Sequence, residues 1–445
     1  MTKIVKLHRG LDINLKGAAA KEKQTIQAGA VYALQPDDFQ GVKPKVVVKE
    51  GDKVKAGDAL FINKAYPEVK FASPVSGTVT LVERGDRRKV LSVQVTADAK
   101  QEFTDFGKKD AKTLTGEQVK KALLEAGLFG YINQLPYAIS TNDQSEPKAI
   151  FVSALRDMPL AGDFEFEVKG QEADFQSGLT ALSKIAKVYL GVGKDSTLTN
   201  VQDAEVTVFA GKCPAGNVGV QVNNTDPVNK GEVVWTVDPT AVLFFGRLFN
   251  TGKVNLTRTI AIAGSEVKAP AYYDVLVGAQ IDVKDLLDGE NVRVIIGNPL
   301  TGKAQPGCTK CTVGAHCSEI TAIPEGDDAD EIFGWIMPRF KQFSVNRSYF
   351  SWLMPKKDYT LDARIKGGER HMIMSGEYDK VLPMDIYGEY LIKAIIAQDI
   401  DKMEALGIYE VSPEDFALAE FVDSSKLELQ KIVREGLDML RKENE

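Results

Sequence analysis

The chain has 445 residues, 44% of them hydrophobic, with 55 basic against 62 acidic side chains and a formal net charge of -7. That length suffices for three or four domains with real cores, and no Lys/Arg stripe dominates as nucleic-acid binding would require. The same balance gives little reason to expect direct docking on anionic lipid.

His8-Arg9-Gly10 interrupts the early apolar run, so no signal peptide is expected. The longest apolar runs, such as Ala241–Phe245, are far short of a membrane span. Four cysteines, three of them clustered, do not make a secreted disulfide framework. The expectation is a soluble, cytosolic chain.

Taken in order, residues 1–43 hold short alternating segments such as Ile4-Val5-Lys6-Leu7, read as two or three edge strands and a loop. Val46–Val48, Ala59–Ile62, Val69–Ala72 and Thr78–Val82 follow as short strands, with turns at Gly51-Asp52 and Gly57-Asp58. This pattern is similar to the barrel-sandwich of biotinyl and lipoyl domains, which carry a cofactor on a hairpin-tip lysine. Here Ser73-Pro74-Val75-Ser76-Gly77 matches the element after the tip, but the tip falls at Tyr66-Pro67 and Lys64 lies off it. The domain therefore reads as structural, and a carrier-domain enzyme is disfavoured.

A polar link at Asp105–Thr113 leads to Thr115-x-x-Gln118, a capping box for a helix whose Val119, Ala122, Leu123 and Ala126 form one apolar stripe ending at Gly127. Strand-like Ala149–Ala154 and Phe166–Val168, a helix around Phe175–Val188, and strands at Lys187–Gly191 and Val206–Ala210 alternate as a doubly wound parallel sheet does. A glycine-rich bend (Gly211, Gly216, Gly219), a polar loop, a strand at Val233–Val237, a short apolar helix and a strand at Thr259–Ala263 complete it. No G-x-G-x-x-G opens a helix and no phosphate-binding loop is present. Gly162-Asp163 and Gly191-Val192-Gly193-Lys194 lack the dense glycines a flavin or NADH site needs.

After Gly264, strand Tyr273–Val277, a short helix at Asp282–Leu287 and strand Val292–Ile296 suggest a small β-grasp-like domain. From Phe333 the pattern is mainly helical. Leu391, Ala394, Ile395 and Gln398 share a face, Ser412-Pro413-Glu414 opens a helix, and Ser425-x-x-Glu428 caps a last one with Leu429, Ile432, Val433, Leu437 and Leu440 inward. The resulting α/β multidomain division is 1–104 β barrel-sandwich, 105–256 Rossmann-like α/β, 257–332 β-grasp and 333–445 helical.

Cys308-x2-Cys311-x4-His316-Cys317 offers three thiolates and an imidazole for a tetrahedral metal shell, structural rather than catalytic. Against it, adjacent His316 and Cys317 are awkward joint ligands, and ferredoxin spacing is absent. Cys213, before a proline, has no base with a motif near it and reads as a packed thiol. Leu128–Ser140 (LFGYINQLPYAIS) is too aromatic for an ordinary loop, and either packs between domains or walls a flat apolar ligand.

Pro214-Ala215-Gly216-x-x-Gly219, Asp226-Pro227-Val228-Asn229, Trp235, Gly246, Leu248-Phe249-x-Thr251-Gly252 and Ala263-Gly264 together carry a resemblance. It continues at Gly127–Leu128, Phe151–Ala154, Pro159–Ala161, Asn298–Gly302, Phe343–Ser344 and Leu382–Ile386, over nearly the whole chain. The chain resembles the A-subunit family of the sodium-translocating NADH:quinone oxidoreductase, a translocase. That family shares its architecture with the flavin-binding NADH subunit of respiratory complex I and the C subunit of the Rnf complex.

The resemblance implies a protein without its own flavin or iron–sulfur cluster, peripheral on the cytoplasmic face of a bacterial inner membrane. Its partners would be five other subunits (B to F), chiefly the membrane-embedded B subunit, and these would hold FMN, FAD and the 2Fe-2S centre. Its ligand would be quinone, ubiquinone or menaquinone, walled by Phe129, Tyr131, Leu135, Pro136 and Tyr137, with Arg156, Arg247 and Lys212 as candidate polar partners. Residues 333–445 contain no cysteine, unlike the complex I and Rnf relatives, so a cluster there lacks ligands. An Rnf-type C subunit, or a scaffold that only positions the quinone-reducing membrane subunit, are the alternatives. Trp335–Phe340 and Tyr349–Pro355 are read as domain packing or as an interface with a membrane-embedded partner.

Overall fold

The central sheet is built from runs such as Ala149–Ser153 (AIFVS) and Lys187–Val192 (KVYLGV), apolar on both faces as parallel strands covered by helices must be. The computed structural model describes residues 3–305, 307, 309–327 and 339–444. In it the sheet runs Lys3–Lys6, Glu205–Ala210, Lys187–Val192, Ala149–Ser153, Val234–Val237, Ile132–Leu135, Ile139–Ser140. The first five strands are parallel to their neighbours and the last two close one side antiparallel. Ile150 and Val152 face the core that holds the helices α1 (Gly116–Glu125), α3 (Glu172–Ser183) and α5 (Pro239–Thr251). Ala149 and Phe151, one residue out of phase, face Val222 of α4 (Val218–Thr225) on the other side.

Local chemistry sets several of these elements. Thr115 and Gln118 form the expected capping box on α1. Asp238 caps α5 by accepting from the Thr240 N–H, with Pro239 in the first turn and Gly252 left-handed at the end. Two expectations fail here. Phe166 lies in a short helix, α2 (Phe164–Glu167), capped by Asp163, and not in a strand. The polar loop after Gly219 is α4, whose β-branched Val218, Val220 and Val222 have low helix propensity but bury a face against the sheet and C-terminal helices. The short apolar helix is α5, thirteen residues long.

The N-terminal unit has two small sheets, Val31–Leu34/Val90–Ala97/Gly77–Arg84/Lys53–Val54 and Pro44–Val46/Ala59–Asn63/Lys70–Ala72. Val90–Ala97, absent from the strands expected of the sequence, pairs both Val31–Leu34 and Gly77–Arg84 and buries Val93 and Val95. This unit and the central one share a continuous core: Phe61 and Phe71 meet Phe39, which meets Tyr131 edge-on at 5.2 Å. Two of the expected edge strands of residues 1–43 extend other units' sheets. Lys3–Lys6 joins the central sheet, and Lys23–Gln24 pairs with Ala271–Leu276.

The third unit is a mixed sheet in the order Lys23–Gln24, Ala271–Leu276, Thr257–Ala263, Glu319–Pro324, Val292–Ile296, Lys303–Gln305. Among the described residues the α-helices of the last unit begin at α6 (Tyr378–Val381), followed by α7 (Gly388–Ile396), α8 (Ile400–Ala405), α9 (Ala417–Val422) and α10 (Leu429–Asn444). From Arg339 to Glu377 the chain is irregular save one 3-10 turn at Phe350–Leu353, so the mainly helical reading from Phe333 is corrected over the described residues. Of the apolar segment Trp335–Phe340, residues 335–338 lie outside the described residues. Gln398 lies past the end of α7 and is exposed. Ser425 does not cap α10; its hydroxyl donates to the His371 carbonyl at 3.0 Å. Among the described residues no helix is long and apolar enough to cross a membrane.

Candidate functional site

In open parallel sheets ligands bind outside the carboxyl ends of the strands, where successive connections leave in opposite directions. Ala149–Ser153 is followed on one side by Lys187–Val192 and Glu205–Ala210, and on its other side by Val234–Val237. A cavity of about 610 Å³ opens at that point, lined by the strand-end residues Ser153, Leu155, Arg156, Asp157, Val237 and Asp238. All other units close it. Asp37 and Asp38 come from the N-terminal unit, Asn298, Lys303, His316 and Glu319 from the third, and Glu414, Gln430 and Arg434 from the C-terminal helices. Apolar wall is supplied by Leu135, Leu155, Met158, Val218, Val237 and Ile296.

The floor is a buried ion-pair network. Arg156 donates to Glu167 at 3.0 Å, to Asp238 at 3.1 Å and to the Thr240 hydroxyl at 2.8 Å, while the Thr240 hydroxyl lies 2.9 Å from Glu167. Burial alone would raise the Asp238 pKa, but Arg156 and Arg258 outweigh it and hold the carboxyl below its ordinary range. Burial works against the Arg156 charge too, yet Asp238 and Glu167 raise its pKa above the ordinary value. This guanidinium stays charged.

Other groups on the wall are poised closer to neutrality. Asp157 is pushed up to about 6, chiefly by burial with Asp12 adding repulsion, and its Oδ1 has no hydrogen-bond partner. Asp38 is raised by burial although its carboxylate accepts the Ala315 N–H at 2.8 Å. His316, between the rings of Phe39 and Tyr131 at 5.7 Å from each, is held neutral by burial, and its Nε2 is buried without a partner. A cavity wall bearing an apolar half and several buried polar groups, two of them with an atom that lacks a partner, can orient a flat ligand with carbonyl oxygens.

Gly216 sits where the loop before α4 closes on the strand end. A Cβ there would lie 2.3 Å from the Leu155 carbonyl oxygen and 2.6 Å from Asp157 Oδ1. That contact is the physical reason for glycine in the Pro214-Ala215-Gly216 run.

The structure separates the five aromatic-segment residues. Leu135 lines the cavity. Phe129 and Tyr131 are fully buried in the seam between units, Phe129 edge-on to Trp235 at 5.5 Å and Tyr131 edge-on to Phe244 at 5.6 Å. Pro136 is buried and Tyr137 half-buried, and the Tyr137 carbonyl accepts Arg434 of α10 at 2.8 Å. Of the three polar partners, Arg156 is in the cavity wall. Arg247 is turned away to the Asn255 and Thr257 carbonyls, and Lys212 is exposed.

The cysteine loop is likewise divided. Cys308 lies outside the described residues. Cys311 is buried in the strand Lys310–Thr312, and Cys317 donates to the Glu319 carbonyl at 3.1 Å with its thiol pushed up to about 12 by burial. Among the described residues no three His, Cys, Asp or Glu side chains are grouped to hold a metal. Cys213 is buried, its Sγ 3.6 Å from Met158 Sδ and its thiol raised by burial.

Asp157, Asp238, Asn298 and Glu414 are wall residues that the sequence does not single out as site residues. For Asp157 and Asp238 the available signal was position: Arg156, Asp157 and Asp238 are charged residues that closely follow two buried strands.

Likeness to known proteins runs along the whole chain. Residues 5–98 match the model of the NqrA N-terminal barrel-sandwich hybrid domain, 114–254 the NqrA second alpha/beta domain, and 259–307 the NQRA C-terminal domain. A protein of Neisseria meningitidis serogroup A, named as the A subunit of Na(+)-translocating NADH-quinone reductase, is 33% identical over 452 residues, covering 99% of this chain and 100% of its own. The protein of the same name from Serratia proteamaculans is 35% identical over 454 residues, with the same coverage. A chain of an NAD+-reducing [NiFe]-hydrogenase in the air-oxidized state overlies 67% of this chain and 55% of its own at 10% identity and a TM-score of 0.30, too loose to bear on the site.

Proposed function

The chain belongs to the family of A subunits of the Na+-translocating NADH-quinone reductase, and from that premise we propose that its strand-end cavity receives the quinone head group in the assembled complex. The observation that carries this reading is the cavity's position, about 610 Å³ of space at the carboxyl ends of adjacent parallel strands with all four units contributing wall. The apolar half (Leu135, Leu155, Met158, Val237) would take the ring. His316 and Asp157, each with a buried atom lacking a partner, would face the carbonyl oxygens directly or through water. Of the five candidate residues of the aromatic segment, Leu135 enters the site on this reading. Phe129 and Tyr131 support its wall from behind.

The central unit is assigned as Rossmann-like on its strand order, the third as β-grasp, with divisions at 1–104, 105–256, 257–332 and 333–445. Electrons would arrive from partner subunits among B to F that hold FMN, FAD and 2Fe-2S, with the B subunit as the membrane-embedded neighbour on the cytoplasmic face. The test is Leu155→Trp in the assembled complex, which fills the cavity from its wall. The apparent KM for quinone should rise roughly tenfold, about 1.4 kcal/mol, while NADH oxidation by an artificial acceptor is unchanged. An unaltered quinone response in a complex of normal subunit composition removes the cavity from quinone chemistry.

A further inference from the structure

Residues 339–357 (RFKQFSVNRSYFSWLMPKK) contain five basic side chains and no acidic one, in a chain whose net charge is -7. The whole-chain balance therefore conceals a local reversal of sign. The segment is also folded upon itself. The Ser344 N–H donates to the Ser351 hydroxyl at 2.9 Å, which donates back to the Ser344 carbonyl at 3.2 Å, and Lys357 Nζ donates to the Phe340 carbonyl at 2.8 Å. Phe340 and Phe350 stack at 5.3 Å between centroids. Phe343 points the other way, onto Tyr359 and Phe421, and Asn14 bonds the Pro355 carbonyl and the Tyr359 N–H. The loop is thus anchored on the C-terminal core with a defined outer side.

That outer side is apolar and cationic together. Phe340, Phe350, Trp352 and Leu353 are 55, 41, 49 and 58% exposed. Lys341, Arg347 and Lys356 are exposed beside them, and none of the three takes part in an ion pair among the described residues. Arg347 lies over the Trp352 ring at 5.3 Å. Of the upstream carboxylates, Glu325 is held by Arg293 and Asp327 by Asn291, both on the third unit, and Asp328, Asp330 and Glu331 lie outside the described residues; Asp358 directly follows the run.

We propose that this loop is a membrane-surface anchor that seats the chain on anionic phospholipid. Trp and Phe favour the level of the headgroups, where a ring is half-desolvated, and long basic side chains lie along apolar surface while keeping their charge at the phosphates. A protein partner is the weaker fit to the same composition. Protein interfaces are depleted in lysine, whereas here Lys341, Lys356 and Lys357 flank the aromatic residues. The loop has no helix to insert, so the contact is shallow and depends on both charge and apolar tips.

The experiment is co-sedimentation of the full-length chain with vesicles of phosphatidylglycerol mixed into phosphatidylcholine, and with phosphatidylcholine alone. Binding should appear on the anionic vesicles and fall with added salt. Lys341→Glu/Arg347→Glu/Lys356→Glu should weaken it by about a hundredfold, and Trp352→Ala/Leu353→Ala by about tenfold. All five positions are exposed, so unchanged thermal unfolding serves as the folding control. Absence of binding to anionic vesicles, equal binding to neutral ones, or variants that bind as the parent does overturn the proposal. So does binding that appears only when the vesicles carry the membrane-embedded partners, which would assign the loop to a protein contact.

Discussion

Arg156 and Asp238 meet at 3.1 Å across the carboxyl ends of neighbouring parallel strands, one three residues after Ser153 and the other directly after Val237. The pair ties together the two sides of the crevice, and Glu167 completes it from α2 at 3.0 Å. The same Asp238 caps α5, so one carboxylate positions a helix and a cation.

Removing the cation from this network leaves Glu167, whose side chain is 2% exposed, charged without its partner. Arg156→Ala is therefore expected to cost about 3–5 kcal/mol of stability. Adding Glu167→Gln should recover part of that, because an amide in place of the carboxylate removes the stranded charge. Urea unfolding of the parent, single and double variants measures both. A single-variant loss below about 1 kcal/mol would show that the network contributes little.

Asp157 gives the protein a pH dependence of defined sign. Its native pKa, about 6, lies above the unfolded value because burial penalises the carboxylate. The native state then binds more protons between the two values, so stability declines as pH rises from about 4 to about 6 and is level beyond. Asp157→Asn should remove that decline. The variant is expected to match the parent at pH 4 and exceed it at pH 8 by about 1–3 kcal/mol. Thermal unfolding at the two pH values is the measurement, and an equal offset at both would refute the assignment.

Gly246 makes the close approach of α3 and α5. A Cβ at this position would fall 1.7 Å from the Asp174 carbonyl oxygen, and one at Gly178 would fall 2.2 Å from the Val242 carbonyl oxygen. Both obstacles are backbone, so neither can rotate away. Gly246→Ala should force the helices apart and cost about 3 kcal/mol or more, read as a lowered Tm. Gly368→Ala, where a Cβ would meet nothing within 4 Å, should leave Tm unaltered and is the control.

Where neighbouring residues suffice to set geometry, the sequence alone was decisive. The Thr115/Gln118 capping box, the strand Val292–Ile296 and the alternation of strand and helix through the central unit all depend on contacts within a few residues or on a simple period. Val218–Thr225 shows where that reasoning stops: local propensity argues against a helix, and burial of its valines between the sheet and the C-terminal helices overrides it. The aromatic segment was visible in the chain, but its partners were not. Phe39, Trp235 and Phe244 come from other elements, and they turn Phe129 and Tyr131 into a seam while Leu135 reaches the cavity. Asp38, Asp157, Asp238, Asn298, His316 and Glu414 share a wall only because four units converge. A helix cap is made by atoms a few bonds apart along the chain, whereas a cavity is the space left between elements whose packing was settled by their buried faces.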